Sequence, residues 1–217
     1  MRSYLLVLRF AAFNVAALAL LVTIWLEGWI GRVIESDITR ITSGIAVVFV
    51  IGWMISAYRV LRCSRELNAV ANPDTGASSR ARWYRDLADK APPEARGAIA
   101  DCLRSRLYAR IAVVRTIANT LVTLGLIGTV IGFIIALSGV NADAVADVGA
   151  IGPMISTLIE GMAVALYTTL VGAVFHIWLL VNYQLLATGT VNLANAIIER
   201  AEAPDHFMGN LAATSHA

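Results

Sequence analysis

The chain has 217 residues, 58% of them hydrophobic and 15% charged, with a formal net charge of +2 and a mean hydropathy of +0.71. An average soluble domain is about 45–50% apolar and about 25% charged, so an ordinary soluble globule is excluded, and the small net charge gives no footing for a nucleic-acid partner. Cys63 and Cys102 form no CxxC or metal-ligand spacing and read as reduced thiols.

In chain order, four continuous apolar runs are long enough to cross a bilayer: Phe10 to Leu26, Ile41 to Leu61, Ile117 to Val140 and Met154 to Val181. The expected fold is an all-α integral membrane protein with four transmembrane helices. Met1, Arg2 and Arg9 mimic the charged start of a signal peptide, but no small-x-small cleavage site follows Leu26 before Trp29 and Ile30, so the first run is read as a retained helix. Asn14 within it could pair with another helix, as packing glue. The second run is apolar all round, from Val47 through Ile55, which suits a helix meeting lipid and one neighbour.

Orientation follows from where the charges fall. The stretch from Arg59 to Arg115 holds 12 of the 17 Lys and Arg residues, whereas the two short connections carry Glu27, Glu35 and Asp37, and Asp143 and Asp147. The positive-inside rule therefore puts the basic stretch and both termini in the cytoplasm.

Within that stretch, Asn72 to Gly76 read as a turn, Ser78 and Ser79 can cap a short helix ending at Lys90, and Pro92 and Pro93 suit the first turn of the next. No breaker follows before Gly125, so one helix is expected from Pro93 through the third span. The fourth span lacks proline from Met154 to Ala203 and should likewise run on into the cytoplasm, with Gly189 as its weak point and a loose tail after Pro204. These boundaries divide the chain into a peripheral hairpin (1–61), a cytoplasmic helical segment (62–116), a second transmembrane hairpin (117–182), a cytoplasmic helix extension (183–203) and a flexible tail (204–217).

At about 100° per residue, Gly125, Gly128, Thr129, Gly132, Ala136 and Gly139 fall in one stripe of the third span. On the fourth, Gly161, Ala165, Thr169, Gly172 and His176 share a face, with Thr168 beside it. Small residues let helices approach closely inside a bilayer, so such stripes suit packing. Thr129 and Thr169 each lie about halfway along their spans, where a hydroxyl can bond a permeating water or a partner's carboxyl group, or simply the carbonyl one turn earlier.

An intramembrane acid is a functional candidate by default, but Glu160 lies near the outer end of its span and turns about 100° away from the stripe. His176 sits near the inner end; as a haem ligand it would need a second axial partner, and His206 and His216 are in the tail. No acid stands at mid-depth in any span. A proton crossing here needs a carrier from another chain. No nucleophile–base pair, metal-ligand cluster or phosphate-cradling loop occurs at usable spacing, so neither catalysis nor a cofactor or metal is expected.

The run Leu124-Gly-Leu-Ile-Gly-Thr-Val-Ile-Gly132, followed by Glu160-Gly-Met-Ala-Val-Ala-Leu-Tyr-Thr-Thr-Leu-Val-Gly172, resembles the two signature spans of the MotA/TolQ/ExbB proton-channel family. The resemblance covers roughly Pro93 to Glu199. The hairpin ahead of it gives the four-span layout of MotA, whereas TolQ and ExbB have three spans; the cytoplasmic segment is shorter than MotA's. The resemblance implies a homopentamer in the bacterial inner membrane around two copies of a single-span MotB/TolR/ExbD-like subunit, whose membrane aspartate carries the proton. Ion flow would then drive rotation and mechanical work.

By position, Thr129 and Thr169 match the family's pore-lining hydroxyls, and Gly128, Gly132 and Gly172 the small residues beside them. Glu160 receives no role. The family's proline near the inner end of the last span is replaced here by Trp178 or its neighbours. Hydroxyl rings suit a sodium ion as well as a proton. A different reading of the same residues is a non-conducting membrane scaffold whose stripes serve packing and whose basic segment holds a cytoplasmic partner or anionic lipid.

Overall fold

The computed structural model describes residues 2–28, 31, 40–71, 79–140 and 148–214, with side chains placed for most of those up to residue 201. All the regular structure among them is helical: α1 (Arg2–Leu26), α2 (Ile41–Ala71), α3 (Ser79–Lys90), a 3-10 turn (Pro93–Ala95), α4 (Arg96–Ser138) and α5 (Val148–Thr214). Four of the helices contain stretches long and apolar enough to cross a membrane, Leu6–Leu26, Ile41–Val70, Arg96–Ser138 and Ile151–Ala201. The expected turn at 72–76 and the acids Glu35, Asp37, Asp143 and Asp147 lie outside the described residues.

Local signals account for several helix ends. Gly28 adopts φ 77° and its amide donates to the Trp25 carbonyl at 2.9 Å, a left-handed cap that costs glycine no steric strain. The end of α2 is closed differently, by Arg200 of α5, whose guanidinium donates to the Val70 carbonyl. A cation there satisfies an orphan carbonyl and complements the negative end of the helix. Short helix α3 ends at Lys90, as the sequence indicates. Two helices outrun their apolar runs: α2 continues past Leu61 to Ala71, and α5 starts at Val148 and passes Pro204 to Thr214, where the sequence reading starts the loose tail.

The chain forms two compact units. The first comprises Ala12–Ile55 and Val114–Asn182, and its organising contact is α4 against α5. A Cβ placed on Gly161 would lie 2.3 Å from the Ala136 amide nitrogen and 2.6 Å from the Gly132 oxygen; one on Gly132 would lie 2.5 Å from the Ala165 nitrogen. These are backbone atoms that cannot turn aside. The two backbones touch because neither helix carries a side chain there.

In the same unit α2 has more than one neighbour. Gly52 admits Leu179 of α5 and Ile117 of α4, each within 3 Å of where its Cβ would stand. One turn away, Phe49 stacks on Phe175 with ring centroids 4.2 Å apart and tilts against Trp178 at 5.1 Å, close to the separations aromatic pairs prefer. An all-round apolar sequence conceals this packing face, because its glycine and phenylalanine leave no periodic signature. By contrast α1 is open, with 6% of its most apolar window buried.

The second unit comprises Met1–Ala11, Ser56–Val113 and Tyr183–Ala217. Its core gathers Val60, Tyr84, Leu103, Leu107, Leu186, Leu193 and Ile197, all nearly inaccessible. Trp83 of α3 takes the Arg106 guanidinium over its ring at 4.9 Å. Gly189 does not interrupt α5; it receives Leu6 of α1, whose Cδ2 would stand 2.5 Å from a Cβ there.

The α4–α5 contact makes a stability prediction. Gly161→Val has no relaxation available without separating two backbones, and overpacking of this kind costs about 1–3 kcal/mol or more. Thermal unfolding of the detergent-purified chain should show a clear fall in midpoint for Gly161→Val and none for Gly152→Val, whose Cβ meets nothing within 4 Å.

Candidate functional site

The two small-residue stripes face each other along the hairpin. Going down α5, Gly161 meets Ala136 and Gly132, Ala165 meets Gly132, Thr168 meets Gly128, and Gly172 meets Gly125 and Leu121. At the end of this series the Nδ1–H of His176 donates to the Ala118 carbonyl of α4 at 2.8 Å; a carbonyl can only accept, so Nδ1 carries the proton. The structure thus brings together Gly125, Gly128, Gly132, Ala136, Gly161, Ala165, Thr168, Gly172 and His176 as one α4–α5 contact.

The three threonines occupy different situations within it. Thr168 is fully buried, and its hydroxyl stays on its own helix, donating toward the Val164 carbonyl at 2.9 Å and the Ala165 carbonyl at 3.1 Å. Thr169 is half-buried and reaches across, its Oγ1–H donating to the Gly125 carbonyl at 3.1 Å. Only the absence of side chains on Gly125 and Gly172 allows that reach, since a Cβ on Gly125 would lie 3.3 Å from the Thr169 Cα. Thr129, also half-buried, donates to the Leu126 carbonyl at 2.6 Å. A hydroxyl that donates in this way still offers its lone pairs. Thr129 lies four residues, about 6 Å of helix rise, from the carbonyl that Thr169 engages. The two hydroxyls therefore stand at neighbouring heights along the α4–α5 contact.

Glu160 stands apart. Its side chain is exposed, and Ser156 one turn earlier donates to its Oε1 at 3.4 Å. Beyond the stripes the same helices turn large apolar groups outward: Leu126, Val130, Phe133 and Ile134 on α4, and Ile159, Leu166 and Leu170 on α5. On α4, Leu126, Ile127, Val130 and Ile131 form with Thr123 a shallow groove of about 270 Å³. So much exposed apolar surface is incompatible with water and fits lipid or neighbouring chains. Among the described residues no group of three or more His, Cys, Asp or Glu is placed to hold a metal.

Asn14 pairs with other helices, as the sequence suggests, and does so within a polar cluster whose other members the sequence does not mark. Asn14 of α1 is nearly buried; its Oδ1 accepts from the indole N–H groups of Trp53 at 2.7 Å and Trp178 at 2.9 Å. Both indoles are donors only, so they fix which way the amide points. The Asn14 amide nitrogen then donates to Oδ1 of Asn182 at 2.8 Å, and the Asn182 amide nitrogen donates to the Trp178 carbonyl at 3.1 Å and toward Asn14 Oδ1 at 3.3 Å. This neutral knot ties α1 to α2 and α5. It includes Trp178, where the resemblance leads one to expect the proline, and α5 runs unbroken through it. The pairing spans 168 residues of sequence, and only the lone asparagine hints at it.

Comparison with known proteins is confined to this hairpin and its approach. Residues 94–199 match the model of the MotA/TolQ/ExbB proton channel family. No curated protein and no solved structure gives a match. The matched segment contains both stripes, Thr129, Thr169, Glu160 and His176, and leaves out α1, α2 and α3.

The knot can be tested by its removal. Asn14→Leu leaves the buried Trp178 and part-buried Trp53 indole N–H groups without their acceptor, and membrane hydrogen bonds average about 0.6 kcal/mol each, with more for an orphaned buried donor. The unfolding midpoint of the purified chain should fall by an amount corresponding to about 1–3 kcal/mol. A midpoint equal to that of the unmodified chain would mean that the three helices are not held through Asn14.

Proposed function

We propose, for a chain whose residues 94–199 match the model of the MotA/TolQ/ExbB proton channel family, that it is the ring-forming subunit of an ion-driven rotary motor. Five copies surround two copies of a single-span MotB/TolR/ExbD-like partner in the bacterial inner membrane. Both termini face the cytoplasm, in keeping with the basic stretch from Arg59 to Arg115. Thr129 and Thr169 line the ion path, and a carboxylate on the partner carries the proton past them. Rotation of the ring about the partner couples the flow to mechanical work. The chain is a channel subunit and performs no catalysis of its own.

The observation that carries this reading is the coincidence of the family match with two half-buried hydroxyls at neighbouring heights along the α4–α5 contact. No aspartate or glutamate occurs from Arg104 to Val140 or from Gly161 to Ile198, so the middle of the hairpin supplies hydrogen-bonding groups without a titratable acid. A hydroxyl can receive and pass on a proton only in concert with a group or water that binds one. The apolar outer faces of α4 and α5 provide the surface on which neighbouring copies and lipid would sit.

A second reading, the non-conducting scaffold, is favoured by one feature: the glycine stripes already meet each other within a single chain. Proton flux separates the two. The chain and its partner, reconstituted in liposomes under a pH gradient, should conduct protons. The double variant Thr129→Ala, Thr169→Ala should reduce the flux about tenfold or more, as expected from losing one or two hydrogen bonds of roughly 1–1.5 kcal/mol each along the path. Thr169→Ser, which keeps the hydroxyl, should retain it, and the ring should still assemble in every variant. Undiminished flux in the double variant would refute the hydroxyl path, and absence of flux from the unmodified complex would favour the scaffold.

A further inference from the structure

In the second unit two arginines pair with a single acid, and two more arginines lie within electrostatic reach of this group. Arg80 of α3 meets Glu66 Oε2 at 3.0 Å, and Arg62 of α2 meets Glu66 Oε1 at 3.5 Å. Arg110 of α4 lies close enough to act electrostatically on both Arg80 and Arg59, and Arg62 acts on Arg80. Glu66 is the one carboxylate acting on Arg80 among the described residues, so the cluster carries three positive charges more than its own acid can neutralise. Burial lowers the Arg80 guanidinium from its ordinary range; Glu66 opposes that shift, and Arg110 and Arg62 add to it. Like charges within electrostatic reach of one another repel in the absence of a counter-anion.

The cluster has a defined setting. Arg59 and Arg62 bracket Leu61, where the apolar run of the second span ends. Arg110 follows the same pattern on α4, ahead of the third span. Immediately on the span side of the guanidiniums, the same helices expose Tyr58 (64%), Leu61 (49%) and Val113 (45%). Apolar surface therefore adjoins an excess of positive charge at the level where hydrocarbon gives way to water. Soluble anions match only the charge. A phospholipid matches both, with its phosphate among the arginines and its acyl chains along the exposed residues.

We infer that Arg59, Arg62, Arg80 and Arg110 form a binding site for the headgroup of an anionic phospholipid, which neutralises the cluster and holds α2, α3 and α4 together at the membrane surface. Of these residues only Arg110 falls within the family match, so the site belongs to this chain's additional helices and is separate from the ion path. Guanidinium pairs suit phosphate because their planar forks can donate two hydrogen bonds at once. Glu66 orients Arg62 and Arg80 while cancelling one of the four charges.

The test is a native mass-spectrometric titration of the full chain, purified in an uncharged detergent, with phosphatidylglycerol and with phosphatidylcholine of the same acyl chains. Phosphatidylglycerol should bind about tenfold more tightly or better. Arg62→Gln combined with Arg110→Gln should weaken its binding about thirtyfold, from roughly 1 kcal/mol for each basic residue at the surface. Arg82→Gln with Arg85→Gln, which removes the same charge from exposed positions on α3, should leave it within about twofold. Glu66→Gln should tighten binding, a change in the direction that misfolding cannot produce. Equal affinity for the two lipids, equal loss in both double variants, or weaker binding by Glu66→Gln would overturn the site. Displacement of phosphatidylglycerol by inorganic phosphate at equal concentration would overturn the lipid assignment in favour of a free anion.

Discussion

Two helix backbones in direct contact set the geometry of this protein's central hairpin. Where Gly132 and Ala136 of α4 meet Gly161 and Ala165 of α5, there is no volume for one additional carbon atom, because a Cβ on Gly161 would stand 2.3 Å from a backbone nitrogen. In a bilayer this closeness matters more than in water, since lipid tails are as apolar as leucine and burying leucine between helices gains little. Close approach instead gains dispersion contacts and weak C–H···O bonds. It also fixes heights: once Gly161 is seated against Ala136, Thr169 comes level with the Gly125 carbonyl and His176 with that of Ala118. A shift of one residue along either helix would break all of these pairings together.

The polar groups inside the first unit follow a second constraint, neutrality. Asn14, Asn182 and two indoles satisfy one another without a formal charge, and the threonines satisfy helix carbonyls. Charges appear where the apolar runs end, in the arginines around Glu66 and in the exposed Glu160. An unpaired ion in hydrocarbon is costly, so a hairpin built in this way can line an ion path more readily than it can store the ion. That division of labour is the physical basis for assigning the proton-bearing acid to a partner chain.

Much of this is legible in the sequence where a single helix carries the signal. Apolar length marks the four spans, Lys90 ends the short helix, and small residues at helical spacing mark the faces that meet, because each is a property of consecutive residues. Pairings are not legible. Nothing in the run around Asn14 indicates that its acceptor oxygen is shared by Trp53 and Trp178, and the arginine cluster draws on α2, α3 and α4, whose relation exists only once the chain has folded. The second span hides its packing face in the same way, since Gly52 and Phe49 identify it only through what they touch.

The central claim is that this chain builds a ring whose ion-carrying acid comes from another protein. Its most direct test is the native mass of the complex extracted in mild detergent after expression from its natural chromosomal setting. The account predicts a particle with five copies of the 23.2 kDa chain and two copies of a short single-span protein with an aspartate in its span. A stable monomer, or a ring that conducts protons with no second protein bound, would contradict it.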